Sequence, residues 1–140
     1  MSLKMMRDRY NEDIGKMKLL GLLKNYKPTT PVNCLRCHNR NETDKHFVCK
    51  AMCVKALRDA GHTIFTEFKF PNNAVADVYD ATLHVVVEFE TLYDKKKAAI
   101  KFFQFKNYVN EVYVFDIAEM QEHYSQIKKQ ILYKIGLSKI

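Results

Sequence analysis

Ala76-Asp77-Val78-Tyr79-Asp80, and after it Val85-Val86-Val87-Glu88-Phe89-Glu90, carry the reading of this chain. The first stretch is a short apolar strand carrying Asp77, with a tight turn near Asp80. The second ends in two acids with one residue between them. Successive strand side chains point to opposite faces, so Glu88 and Glu90 share one face while Val85, Val87 and Phe89 take the other. A hairpin would bring Asp77 beside the two glutamates. Carboxylates gathered at one sheet edge repel each other unless positive charge sits among them, and a hard divalent cation is the usual solution.

Outward from these strands, the pattern is that of one α/β domain. Residues 62–70 are rich in Thr, Ile and Phe and read as a strand, and Pro71-Asn72-Asn73 turns the chain. Residues 74–79 and 83–90 follow as strands. The nearly unbroken apolar run from Leu83 to Phe89 predicts a central strand covered on both sides. A helix starting at Thr91 or Asp94 runs to about Tyr108. Val112-Tyr113-Val114-Phe115 is a fourth strand, and Asp116 with Glu119 looks like a capping box opening the last helix, which carries Met120, Tyr124, Ile127 and Ile131. Upstream, residues 42–60 read as a helix with Asn41 as N-cap, Asp44 in its first turn and Gly61 at its end. Residues 3–25 have the apolar spacing of an amphipathic helix, expected to pack on the domain or on a second copy of the chain, with a DNA-gripping arm as the lesser reading. The β-helix-β passage from 83 to 115 implies parallel strands joined by a right-handed crossover. The expected fold is α/β, with an αβββαβα core, a mixed four-stranded sheet and an extra N-terminal helix. The expected division is an N-terminal helix over 1–27, a cysteine knuckle and linker over 28–41, and the main domain over 42–140.

The chain has 140 residues, a formal charge of +7 and a pI near 9.2. The size suits one domain with one modest core. No window approaches the roughly 18 uninterrupted apolar residues of a membrane span, and charged residues such as Arg7, Asp8 and Arg9 fall where a signal peptide would be apolar. The basic excess, mostly lysine, reads either as plain solubility or as affinity for a polyanion, most often nucleic acid. Four cysteines without a secretory signal argue for a reducing, cytoplasmic setting, in which cysteine means core packing or metal.

The order of elements and the placing of acids resemble the PD-(D/E)XK nuclease superfamily, which includes restriction endonucleases and archaeal Holliday-junction resolvases. Asp77 takes the position of that superfamily's metal-binding Asp and Glu88 the first position of its Glu-x-Lys. Glu90 stands where the lysine usually stands. The competence-protein CoiA-like branch is similar over about residues 34–115. Its cysteine knuckle matches Cys34-Leu35-Arg36-Cys37, its Glu-x-x-x-His-x-x-x-Lys series matches Glu42, His46 and Lys50, and its acidic strands match Ala76-Asp77-Val78 and Val87-Glu88-Phe89-Glu90.

The resemblance implies an Mg²⁺- or Mn²⁺-dependent nuclease hydrolysing DNA phosphodiesters, with a restriction-endonuclease-like core and a tendency to pair as a homodimer. Asp77 and Glu88 would hold the metal, with Glu42 and Glu67 as further ligands, the Phe89 carbonyl as an extra oxygen and Glu90 as an auxiliary catalytic group. His46 and Lys50 would contact water or phosphate. Glu90 cannot act as the missing cation, so Lys50 or the run Lys95, Lys96, Lys97 would have to. Those three lysines also read as a phosphate clamp or a solvated helix turn. Likewise Glu42, His46 and Lys50, four residues apart, also fit an ordinary surface ladder. Cys34, Cys37, Cys49 and Cys53, with His38 as substitute, have spacing suited to structural zinc. Cys49 and Cys53 with Ala56 and Ala60 equally make a small-residue packing stripe. Two other classes therefore stand beside the nuclease: a catalytically silent nucleic-acid-binding module of the same fold, and a zinc-stabilised interaction protein.

Overall fold

The structure, a computed structural model, describes residues 1–28, 35–36, 42–91 and 94–137. Its elements run α1 (Leu3–Leu19), α2 (Asp44–Asp59), β1 (Ile64–Lys69), β2 (Val75–Asp80), β3 (Val85–Glu90), α3 (Lys95–Phe105), β4 (Glu111–Asp116) and α4 (Tyr124–Ile135). The four strands lie in one sheet in chain order. β1 and β2 are antiparallel, as are β2 and β3, while β3 and β4 are parallel, joined through α3. The expected mixed four-stranded α/β arrangement is therefore present, with β3 central and Val85 to Phe89 buried throughout.

Side-chain alternation divides the core into two layers. On one face, Ile64, Val78, Val87, Phe89 and Phe115 pack against Cys49, Cys53 and Leu57 of α2 and Ile127 and Ile131 of α4. On the other, Phe65, Tyr79 and Val86 pack with Met17 of α1 and Phe105 of α3. This second layer is strongly aromatic: Phe68 touches Tyr26, Phe65, Phe70 and Tyr79 at ring-centroid distances between 4.5 and 5.6 Å, a range typical of stabilising aromatic pairs. The N-terminal helix is thus docked on this domain's own sheet, and Arg9 Nη1 fastens it further by donating to the Gly61 carbonyl at 2.7 Å.

Several boundaries differ from those read in the sequence. α1 ends at Leu19 because Gly21 turns left-handed (φ 71°) and its N–H bonds back to Lys18; the apolar residues beyond it, such as Leu22, belong to the turn and still reach the core. α2 is capped by Thr43, whose hydroxyl accepts from the His46 N–H, and Glu42 lies outside the helix. Asn41, the expected cap, lies outside the described residues. Asp116 does cap, but what it caps is a short 3-10 turn, Ile117–Glu119. Met120 is extended and α4 begins only at Tyr124.

Candidate active site

The regular ladder fails at one place. Register continuing from Thr66↔Val78 to Phe68↔Ala76 would pair Glu67 with Asp77, and register continuing from Val78↔Val87 would pair Asp77 with Glu88; both pairs are missing. Glu67 takes a left-handed backbone (φ 51°). Beyond it Phe68 and Ala76 turn to the aromatic layer, although Thr66 and Val78 precede them at strand spacing. β2 and β3 therefore part at Asp77, and side chains fill the gap. The Asp77 N–H donates to Glu88 Oε2 at 3.0 Å, and the Phe89 N–H donates to Asp77 Oδ2 at 2.8 Å. The two acids substitute for the lost ladder bonds, each satisfying the other strand's amide.

Helices on opposite faces of the sheet supply the surrounding groups. From α2, His46 Nε2 lies 3.4 Å from Asp77 Oδ2, its Nδ1 lies 2.6 Å from Glu42 Oε1, and its ring edge rests on Phe89. One turn further along, Lys50 Nζ is 2.8 Å from Glu42 Oε1 and 3.0 Å from Glu67 Oε1. From α3, Lys101 Nζ lies 3.6 Å from Glu88 Oε1 and 3.7 Å from Glu90 Oε1. The result is a continuous line of ionisable groups, Glu67, Lys50, Glu42, His46, Asp77, Glu88, Lys101 and Glu90. It runs across three strands, β1 to β3, inside a chain of formal charge +7.

Protonation within the line is uneven. Glu88 is 1% exposed, and its Oε1 is a buried oxygen with no hydrogen-bond partner. Burial, then the neighbouring Asp77 carboxylate, push its pKa well above the ordinary value, with Lys101 opposing them. Burial also acts to raise Asp77, but hydrogen bonds from His46, Glu88 and the Phe89 N–H overcome it and hold Asp77 at about 2. Within the pair, the aspartate gives up its proton more readily than usual and the glutamate less readily. Burial works to lower His46, Lys50 and Lys101, yet all three are raised by their carboxylate neighbours.

Most of the residues singled out from the sequence meet here: Asp77, Glu88, Glu90, His46, Lys50, Glu42 and Glu67. Lys50 needs a correction of role. It is fully buried between Glu42 and Glu67 and presents no ammonium to a phosphate. Lys95, Lys96 and Lys97 are exposed on the first turn of α3, and none of them forms an ion pair with these acids. The cation that does reach Glu88 and Glu90 is Lys101, which the sequence reading passed over. Its signal was present: it lies one helical turn beyond Lys97, on the helix that must fold back over the acid-bearing face of β3. Among the described residues, no group of three or more His, Cys, Asp or Glu side chains is arranged to hold a metal ion.

Cys49 and Cys53 lie in the apolar layer between α2, the sheet and α4, where burial raises both thiols above their ordinary pKa. Cys34, Cys37 and His38 lie outside the described residues. Two clefts open elsewhere. One is lined by Phe115, Glu119, Gln130 and Lys134, the other by Met17, Tyr79, His84 and Asn110. Neither includes Asp77, Glu88 or Glu90. Among the described residues no helix is long and apolar enough to cross a membrane. No family model, curated protein or solved structure matches this chain.

Proposed function

We propose that the chain is a metal-dependent nuclease with a restriction-endonuclease-like core, hydrolysing DNA phosphodiester bonds at the Asp77–Glu88 gap. The observation that supports it best is the buried Glu88 Oε1, which has no hydrogen bond and only the Lys101 ammonium at 3.6 Å, beside the ionised Asp77. A buried carboxylate oxygen without a hydrogen bond calls for a proton or a closer cation. Asp77 and Glu88 suit Mg²⁺ or Mn²⁺, hard ions that prefer oxygen and, in the case of Mg²⁺, keep several waters, so two carboxylates suffice. Bound there, such an ion would supply an activated water and offset charge on the phosphorane.

The remaining residues have separable tasks. His46 is oriented by Glu42 through Nδ1 and holds Asp77 through Nε2. Lys101 brings the positive charge that Glu90 lacks, and it lowers the cost of ionising Glu88. Lys50 holds Glu42 and Glu67 in place. Glu90, also facing Lys101, keeps that ammonium near Glu88.

The test is cleavage of labelled plasmid and oligonucleotide DNA with Mg²⁺ or Mn²⁺ by the native chain, Asp77→Ala, Glu88→Gln and Lys101→Met. The expected result is cleavage by the native chain, none by Asp77→Ala, and a loss of about 100-fold in Lys101→Met, all with native circular dichroism. A native chain that binds DNA with salt-sensitive affinity and cuts no form of it overturns the nuclease and leaves a binding module.

A further inference from the structure

α3 has two unlike sides. Phe105 is fully buried in the aromatic layer and Lys101 reaches the carboxylates. The rest of the helix is open: Phe103 is 61% exposed, with Ile100 beside it, and Phe102, on the flank toward Phe105, is 42% exposed. At 100° per residue, Lys96, Ile100, Phe103 and Lys106 form one outward stripe. Lys106 Nζ sits 4.5 Å over the Phe103 ring, and the Phe102 and Phe103 rings meet edge to face at 5.7 Å. From Lys95 to Lys106 the chain holds five lysines and no acid. Three of those lysines occupy the helix's first turn, where the backbone dipole is already positive and favours acids instead.

Exposed aromatic rings among lysines are poorly matched to water and well matched to a polyanion with accessible flat faces. A second copy of this chain would bring the same lysines against each other, so like charge opposes self-pairing through this stripe. A duplex offers phosphates but keeps its bases stacked inside. A single strand offers both, and aromatic stacking on unpaired bases contributes about as much per base whatever the base.

We propose that the outer face of α3 is the substrate-positioning surface, and that its ligand is single-stranded nucleic acid, or a duplex end or branch with unpaired bases. Phe102 and Phe103 stack on bases, and Lys95, Lys96, Lys97 and Lys106 pair with phosphates. Lys101 lies on the same helix, so a strand held here rests on the element that also brings a cation to Glu88 and Glu90. The substrate class rests on the nuclease reading, whereas the binding surface does not need it.

The experiment is fluorescence anisotropy of labelled single-stranded and blunt duplex oligonucleotides, in EDTA, with the native chain and two double variants at exposed positions. One variant is Phe102→Ala with Phe103→Ala, the other Lys96→Ala with Lys106→Ala. Expected is at least ~10-fold tighter binding of the single strand, a loss of roughly 10-fold or more of that preference in the phenylalanine variant, and a shallower salt dependence by about two phosphate contacts in the lysine variant. Unchanged single-strand affinity in the phenylalanine variant overturns the proposal. So does a concentration-dependent dimer, seen by sedimentation, that the phenylalanine variant abolishes while nucleic-acid binding persists; that result gives the face to a second copy. Cleavage assayed separately with Mn²⁺ keeps the two readings apart. Binding as expected without cleavage removes the nuclease and keeps the surface, and cleavage indifferent to Phe102 and Phe103 does the reverse.

Discussion

Asp77 and Glu88 carry opposite dependences on pH. Asp77, held at about 2 against an ordinary 3.8, contributes stability that is present above 3.8 and lost as pH falls through about 2. Glu88 is raised above its ordinary 4.5, so the folded chain keeps that proton longer than the unfolded one. Its burial is harmless below 4.5, and stability drains away as pH rises from there through the raised value. Glu88→Gln keeps the shape and removes this second slope. Its stability should exceed the native chain's at neutral pH by on the order of 1–3 kcal/mol and converge with it near pH 4, as urea unfolding across pH will show. Lys101→Met acts on the same proton from the other side. Without the ammonium, Glu88 ionises at still higher pH, and the acidic limb of the cleavage profile should move to higher pH along with the loss of rate. An unmoved limb would mean that Glu88 is not the group titrating. At this scale the sequence was informative where side chains alternate, since Glu88 and Glu90 share the face that alternation assigns. It was silent on Lys101, because five similar lysines lie along one helix and only the crossover angle of α3 selects among them.

Elements meet through Lys50, which ties α2 to β1 by way of Glu67 and to the helix entry by way of Glu42. A fully buried ammonium with two carboxylates is a case in which removing one partner costs far more than the set contributes. Lys50→Met should destabilise the chain by roughly 3–5 kcal/mol, measured as a fall in unfolding midpoint. Lys50→Met combined with Glu42→Gln and Glu67→Gln should recover much of that. No recovery would mean that the loss is one of packing volume and not of charge. The spacing of Glu42, His46 and Lys50 suggested one helical face, and the three do converge. The helix itself, however, begins at Asp44 behind the Thr43 cap, so Glu42 arrives as part of the incoming loop. The four strands were legible from their apolar runs. The break at Asp77 was not, because the left-handed backbone of Glu67 on the neighbouring β1 is a conformation that glutamate does not advertise. The start of α4 was misplaced for a related reason. Asp116 and Glu119 satisfy a capping pattern, but a three-residue 3-10 turn satisfies it equally.

For the molecule as a whole, α1 is what closes the aromatic layer. Met17 is fully buried there, so Met17→Ala should cost about 2–5 kcal/mol. Gly61, at φ 84° and with the side chains of Met1 and Arg9 within 3.1 Å of where a Cβ would stand, fixes the seat of that helix. Gly61→Ala should cost about 1 kcal/mol or more in backbone strain, and thermal unfolding checks both variants. The chain-order sheet has a further consequence for synthesis. Each strand finds its neighbour soon after it is made, but α1 is made before any residue of the layer it covers. At about 5–20 residues per second, the interval between completing α1 and completing β2 is roughly 3–12 s. Throughout it the apolar side of α1 has no sheet to rest on, and Lys4, Arg7, Arg9, Lys16 and Lys18 are what keep it dispersed. A nascent chain halted before β1 should therefore be cut by protease within α1, while the finished chain resists. The helix that seals the fold spends its first seconds as the segment most dependent on its own charge.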